Sequence, residues 1–229
     1  MFKILSEDVK VVIWGMIGLV AAFTTFILVC NFIDKKQNTN MNKDLYNNVL
    51  VVVDCQNDFI TGSLANIEAQ RKVPNIVKKI REFKGDAIYV TLDTHYSDYL
   101  ETREGKMLPV VHCIENTEGW EVESNISAAL NDASLRGIPV VYIRKGTFGS
   151  DMLVVRVTQH AAPDSKIELV GFCTDICVVS NALLLKSQLY NISDISVDAS
   201  CCAGVTVDTH KAALTTMGQC QITITNPDE

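Results

Sequence analysis

Six short runs of β-branched and aliphatic residues recur along this chain: 49-VLVVVD-54, 87-AIYVTLD-93, 138-IPVVYI-143, 167-IELVGF-172, 195-ISVD-198 and 221-QITIT-225. The longer ones lack polar alternation, which marks strands covered on both faces. Helical patterns separate them. Val73, Ile76, Val77, Ile80 and Phe83 mark one face of the first, and 121-EVESNISAALNDASLR-136 runs up to Gly137, a stop signal. Further helical stretches cover 150–160, 176–190 and 205–219. Strands alternating with helices predict an α/β, three-layer sandwich around a six-stranded, mostly parallel sheet. In such sheets ligands bind beyond the carboxyl ends of the strands, where strand order reverses. The residues to weigh are therefore those just after each strand: Asp54, Gln56 and Asp58; Asp93 and His95; Arg144 and Lys145; Thr174, Asp175 and Cys177.

The N-terminus has a different character. Residues 11–33 hold 23 positions without a charge, enough at about 1.5 Å per residue to cross a bilayer core of about 30 Å. One N-terminal transmembrane helix is expected in a segment 1–33, then a polar linker 34–46 and a catalytic domain 47–229. Lys35, Lys36 and Lys43 follow the apolar stretch and Lys3 and Lys10 precede it, a small excess that puts the domain on the cytoplasmic side. Translation from Met41 would instead give a cytoplasmic protein. Net charge of −7 argues against a nucleic-acid partner, because phosphate binding needs a basic face. Eight irregularly spaced cysteines in a large apolar chain read as buried free thiols of a reducing compartment.

The stretch 167-IELVGFCTDICVVSNALLLK-186 places Cys173 and Cys177 where a strand gives way to a helix. A metal pair, a redox pair, or one nucleophile beside a bystander are all open readings. A thiol in the first turn of a helix capped by Thr174 or Asp175 would be shifted toward thiolate. Lys145 would push it further, and Asp54 could accept the thiol proton and return it to a leaving group. A second set lies in 92-LDTHYSDYLETREGKMLPVVHCIENTEGWE-121, where Asp93, His95, Glu104 and His112 suit zinc, manganese or iron(II).

The pieces VVVDCQNDF (51–59), RKGTFGS (144–150) and GFCTDICV (171–178) together resemble the signature blocks of the isochorismatase-like cysteine hydrolases, the superfamily that contains nicotinamidases. The resemblance covers 47–226 and implies a catalytic triad of Asp54, Lys145 and Cys177. It also implies a cis peptide at Phe172–Cys173 that turns the amides of Cys173 and Cys177 toward one oxyanion. Cys177 is then the nucleophile and Cys173 lends its backbone. The run from DTH through EG to LPVVHC is similar to the metal loop of one bacterial nicotinamidase subgroup, which implies Asp93, His95, Glu104 and His112 as metal ligands, zinc foremost. Phe59, Leu64 and Phe148 would pack the substrate ring. The implied reaction is metal-assisted conversion of nicotinamide to nicotinate and ammonia through a thioester. A metal-free amidase or isochorismatase-type hydrolase is the alternative, and an inactive membrane-tethered binding protein a more distant one. Relatives of this type also imply a small-molecule amide as partner and a homo-oligomer. His160 and His210, in helical patterns, are expected away from the rim.

Overall fold

A computed structural model describes residues 45–227. The apolar stretch 11–33, the start at Met41 and most of the linker lie outside the described residues. Among the described residues, no helix is long and apolar enough to cross a membrane.

The strands are β1 (Tyr46–Val53), β2 (Ala87–Asp93), β3 (Val140–Lys145), β4 (Ala161–Phe172), β5 (Ser193–Ala203) and β6 (Thr223–Thr225). They form one six-stranded sheet in the order β3-β2-β1-β4-β5-β6, with every neighbouring pair parallel. The absence of alternation in β1 has a direct cause. Val49, Val51 and Val53 enter one core and Leu50 and Val52 the other, so both faces of the strand are buried. Each such side chain, fully buried, contributes about 1.5–3 kcal/mol.

Helices α1 (Ile67–Glu82) and α2 (Ser124–Leu135) cover one face of the sheet. They bury Ile76, Ile80, Ile126 and Leu130 against Leu50, Val52 and Ile88. Helices α3 (Asp151–His160), α4 (Val179–Leu189) and α5 (Val207–Gln219) cover the other, through Leu153, Val157, Leu185 and Met217. Their starts are capped locally. The Asn66 side chain accepts from Glu68 N and Ala69 N, Ser150 from Leu153 N, and Thr206 with Thr209 forms a capping box. Gly137, at φ +87°, ends α2 in the left-handed region that glycine adopts without penalty.

Two strands run longer than the sequence suggests: β4 starts at Ala161 rather than Ile167, and β5 spans Ser193–Ala203 rather than 195–198. Both lie inside the sheet between paired neighbours, and each extension passes through a register shift: Pro163 lies between the pairs Tyr46–Ala161 and Asn48–Lys166, and Ser200 between Leu169–Val197 and Gly171–Cys202. Strand order reverses between β1 and β4. Gly171 of β4 pairs with Val53 there, and a Cβ on Gly171 would run into the Val53 carbonyl. That close approach sits directly below Asp54.

Candidate active site

The tips of β1, β2, β3 and β4 meet at this reversal. Asp54 follows β1 in a left-handed conformation (φ +47°), its N–H donating to Thr91 O at 3.2 Å. Gln56 bridges to the end of β2: its Nε2 donates to Asp93 O (2.8 Å), and its Oε1 accepts from Asp93 N (2.7 Å). That pair extends the strand pairing past the sheet and holds Asp54 and Asp93 side by side.

Lys145 ends β3 and is the hub. Its Nζ lies 2.7 Å from Asp54 Oδ2, 3.1 Å from Asp93 Oδ1, 3.0 Å from Thr147 O and 3.5 Å from Cys177 Sγ. Asp54 is 0% exposed and Lys145 6%. Asp54 Oδ1 accepts from Thr91 Oγ1 at 2.7 Å, while Oδ2 faces the Lys145 ammonium. Burial opposes the Lys145 charge, but the charges of Asp54 and Asp93 outweigh it and hold the ammonium protonated. Burial pushes the Asp54 carboxyl up, against the pull of Lys145.

Cys177 differs from the expectation in two ways. It sits in a π-helical turn, Thr174–Val178, that precedes α4, and no side chain caps this turn; Asp175 instead accepts from Val205 N at 3.1 Å. Its thiol is held well above the ordinary cysteine range, first by burial and then by the charge of Asp54, with Lys145 pulling the other way. Desolvation exceeds what Lys145 returns, so the proton is held on this sulfur more tightly than on an ordinary cysteine. Phe172–Cys173 is a cis peptide bond. The described cysteines, Cys173 and Cys177 among them, are free thiols.

On the same rim, Asp93, His95, Glu104 and His112 each offer one ligand atom, all within 4.8 Å of one another. Asp93 Oδ2 lies 2.9 Å from His95 Nε2 and 3.5 Å from His112 Nε2, and Glu104 Oε1 lies 3.7 Å from His95 Nε2. His112 Nδ1 donates to Val110 O at 2.8 Å, which leaves the Nε2 lone pair for a ligand. Burial and the charge of Asp93 hold the Glu104 carboxyl above its usual range, a cost that a cation between the two carboxylates would relieve. The donor set and its support therefore fit a divalent metal.

Tyr99 is a supporting residue that the sequence reading does not single out. The Tyr99 ring packs against both His95 and His112, centroids 4.6 and 5.0 Å apart, and its hydroxyl donates to Leu108 O at 3.0 Å. Nothing in the local sequence separates Tyr99 from an ordinary core aromatic. Asp58, counted among the rim residues, instead anchors the metal-loop backbone by accepting from Cys113 N at 2.7 Å. His160 stacks on Tyr46, distant from the rim. His210 departs from expectation, because its Nδ1 bonds Thr174 Oγ1 at 2.7 Å and so touches the turn that carries Cys177. The reason is that α5 begins right behind that turn.

A cleft of about 820 Å³ opens over the rim. Phe59, Leu64 and Phe148 line it together with Asp93, Glu104, His112, Cys173 and Cys177. Asp54, Lys145 and His95 lie buried just behind that wall. A thiol and three members of the candidate cation site thus line one largely apolar cleft of the size that takes a small organic ligand, with a carboxyl group and a fixed cation directly behind them.

The isochorismatase domain family model matches residues 48–229. Among solved structures, the fold is similar to a nicotinamidase/pyrazinamidase from Bacillus subtilis, with 24% identity, 77% of this chain and 98% of that one covered, and a TM-score of 0.64. It is also similar to a pyrazinamidase of Pyrococcus horikoshii solved with zinc, with 24% identity, coverage of 78% and 98%, and a TM-score of 0.60. A protein from L. infantum in complex with nicotinate shares 17% identity, with coverage of 77% and 91% and a TM-score of 0.62. At these identities the likeness is one of fold. No curated protein sequence matches the chain.

Proposed function

The chain belongs to the isochorismatase family, and from that premise we propose that it is a metal-assisted cysteine amidohydrolase converting nicotinamide to nicotinate and ammonia. The observation that carries this reading is that Lys145 touches both sets of side chains. It contacts Asp54 and Cys177 on one side and Asp93 of the candidate metal cluster on the other, beside one cleft. A metal-free hydrolase of this family would have no use for a second buried set of two imidazoles and two carboxylates.

Asp54 takes the thiol proton as the Cys177 sulfur bonds to the amide carbon. The carbonyl π electrons move to oxygen, where the backbone amides of Cys173 and Cys177 receive the charge. Asp54 then gives its proton to the nitrogen, the C–N bond breaks, and ammonia leaves a thioester on Cys177. A water passes a proton to Asp54 as its oxygen adds to the thioester carbon. Collapse releases nicotinic acid, which gives its carboxyl proton to solvent and leaves as nicotinate, and Asp54 returns its proton to sulfur. Lys145 remains charged throughout and offsets the negative charge that moves between Asp54 and the sulfur. Phe59, Leu64 and Phe148 hold the ring. A divalent metal on Asp93, His95, Glu104 and His112, zinc first with manganese or iron(II) as alternatives, would supply a Lewis-acidic anchor for the pyridine nitrogen.

The test strips the purified protein with chelator and follows ammonia release from nicotinamide with and without each metal, beside Cys177→Ala. Metal-dependent release lost in the variant supports the reading. Release that needs Cys177 but no metal points to the metal-free amidase. No release from a folded, metal-loaded protein sinks nicotinamide as the substrate.

A further inference from the structure

Four residues after Cys177, Asn181 looks like an ordinary polar position on the first turn of α4. In the fold it is 0% exposed and fully engaged. Its Nδ2 donates to Cys177 O at 2.8 Å and to Phe148 O at 3.2 Å, and its Oδ1 accepts from Ser150 N at 3.0 Å. Two carbonyls and one N–H are what one carboxamide can serve; a carboxylate lacks the donors and a hydroxyl has only one. Asn181 thus joins two ends: the nucleophile turn, held through Nδ2, and the segment from Lys145 to Ser150, held through both Nδ2 and Oδ1, in which Thr147 O accepts from Lys145 Nζ at 3.0 Å and Phe148 lines the cleft.

We infer that Asn181 is a positioning residue that sets the nucleophile turn against the Lys145–Ser150 loop, so that sulfur, ammonium and ring wall keep one spacing. This rests on the proposed hydrolase reading. Asn181 touches neither substrate nor the reacting atoms; it acts through Cys177 and Phe148. Phe148 is 46% exposed and has little packing of its own to fix it, so its backbone ties decide where it stands.

Two substitutions separate the two ends. Asn181→Leu removes every bond and leaves Ser150 N–H and two carbonyls without this partner. Asn181→Thr keeps one, because a helical threonine hydroxyl bonds the carbonyl four residues back, here that of Cys177, but cannot reach the loop. Three quantities are read in the full-length protein: the rate of Cys177 alkylation by iodoacetamide, with the site located by mass spectrometry; trypsin cleavage after Arg144; and kcat and KM on nicotinamide per alkylatable site. For Asn181→Leu, alkylation and kcat fall about tenfold, the scale of one lost buried hydrogen bond, and cleavage speeds up. For Asn181→Thr, alkylation and kcat stay within about twofold, while KM rises about fivefold and cleavage speeds up. A merely structural asparagine would lower the thermal midpoint in both without splitting kcat from KM.

The inference is overturned if the two variants behave alike, or if both keep wild-type constants. If Asn181→Leu does not fold, Asn181→Thr decides alone, and an unchanged KM with unchanged cleavage refutes it. Should the wild type not act on nicotinamide, that failure belongs to the substrate reading, and alkylation with cleavage still settles the role of Asn181.

Discussion

Lys145 and Asp93 share a buried contact, Nζ to Oδ1 at 3.1 Å, and it is the seam between the two functional sets. The other oxygen of Asp93 faces His95 at 2.9 Å. One carboxylate therefore belongs to both the surroundings of Cys177 and the candidate metal cluster.

Asp93→Asn is expected to change Cys177 even in chelated protein. The charge of Asp93 helps hold the thiol up, so its loss should speed iodoacetamide alkylation at neutral pH by about threefold or more. His112→Ala, which does not touch Lys145, should stay within about twofold of wild type. Equal rates in chelated wild type and Asp93→Asn would show that the seam transmits nothing.

Lys145→Met should unfold more easily, and in a pH-dependent way. Asp54 is fully buried with its carboxyl held up by burial, so the folded chain binds that proton more tightly than the unfolded one. The contribution is then present below the unfolded value near 3.8 and lost as pH rises through the folded value. Removing the ammonium raises the folded value further and widens the window. At neutral pH the expected loss is about 3–5 kcal/mol, the cost of stranding one buried partner. Adding Asp54→Asn should recover most of that stability and none of the activity. Urea denaturation between pH 4 and pH 8 measures both.

Tyr99→Ala should weaken metal binding about 10- to 100-fold, the usual effect of losing support behind ligands. Tyr99→Phe keeps the ring against both imidazoles and should bind nearly as wild type. Competition with a chromophoric zinc chelator separates the two, and equal affinities in all three proteins would assign Tyr99 to core packing alone. In the wild type, metal at about 100 times its Kd should add about 2.7 kcal/mol of stability, visible as a raised Tm that chelation reverses.

Lys79 ties α1 to the sheet, 2.6 Å from Asp198 Oδ2 and 3.0 Å from Glu168 Oε2. Burial pushes the Asp198 carboxyl up, but hydrogen bonds from Lys79, Ser200 and Asn226 win and hold it low. Its stabilisation is therefore present above the unfolded value near 3.8 and lost as pH falls through the folded one. Lys79→Met should cost about 1.5–3 kcal/mol at pH 7, the scale of a hydrogen bond to a charged group, and less toward pH 3. A penalty independent of pH would leave only the packing of the lysine stem to explain it.

The sheet was legible because strands buried on both faces must be apolar throughout, and 49-VLVVVD-54 and 87-AIYVTLD-93 show that directly. Asp54, Asp93, Lys145 and Cys177 were legible as polar residues just past strands, since the parallel topology brings those ends to one rim. Strand lengths were less so: β4 and β5 each run on through a register shift, at Pro163 and at Ser200, flanked on both sides by pairs with neighbouring strands.

What the chain alone determined is therefore the layer architecture and the inventory of reactive groups at one edge of it, because both follow from periodicity and position along the strands. What the tertiary structure decided is how those groups behave. Cys177 next to Lys145 suggests a thiolate, yet desolvation and Asp54 keep the proton on sulfur. Gln56, Tyr99 and Asn181 are polar or aromatic residues like many others until packing gives them two or three specific partners each. Burial and partner geometry are properties of contacts between segments far apart in the chain, and no local pattern encodes them.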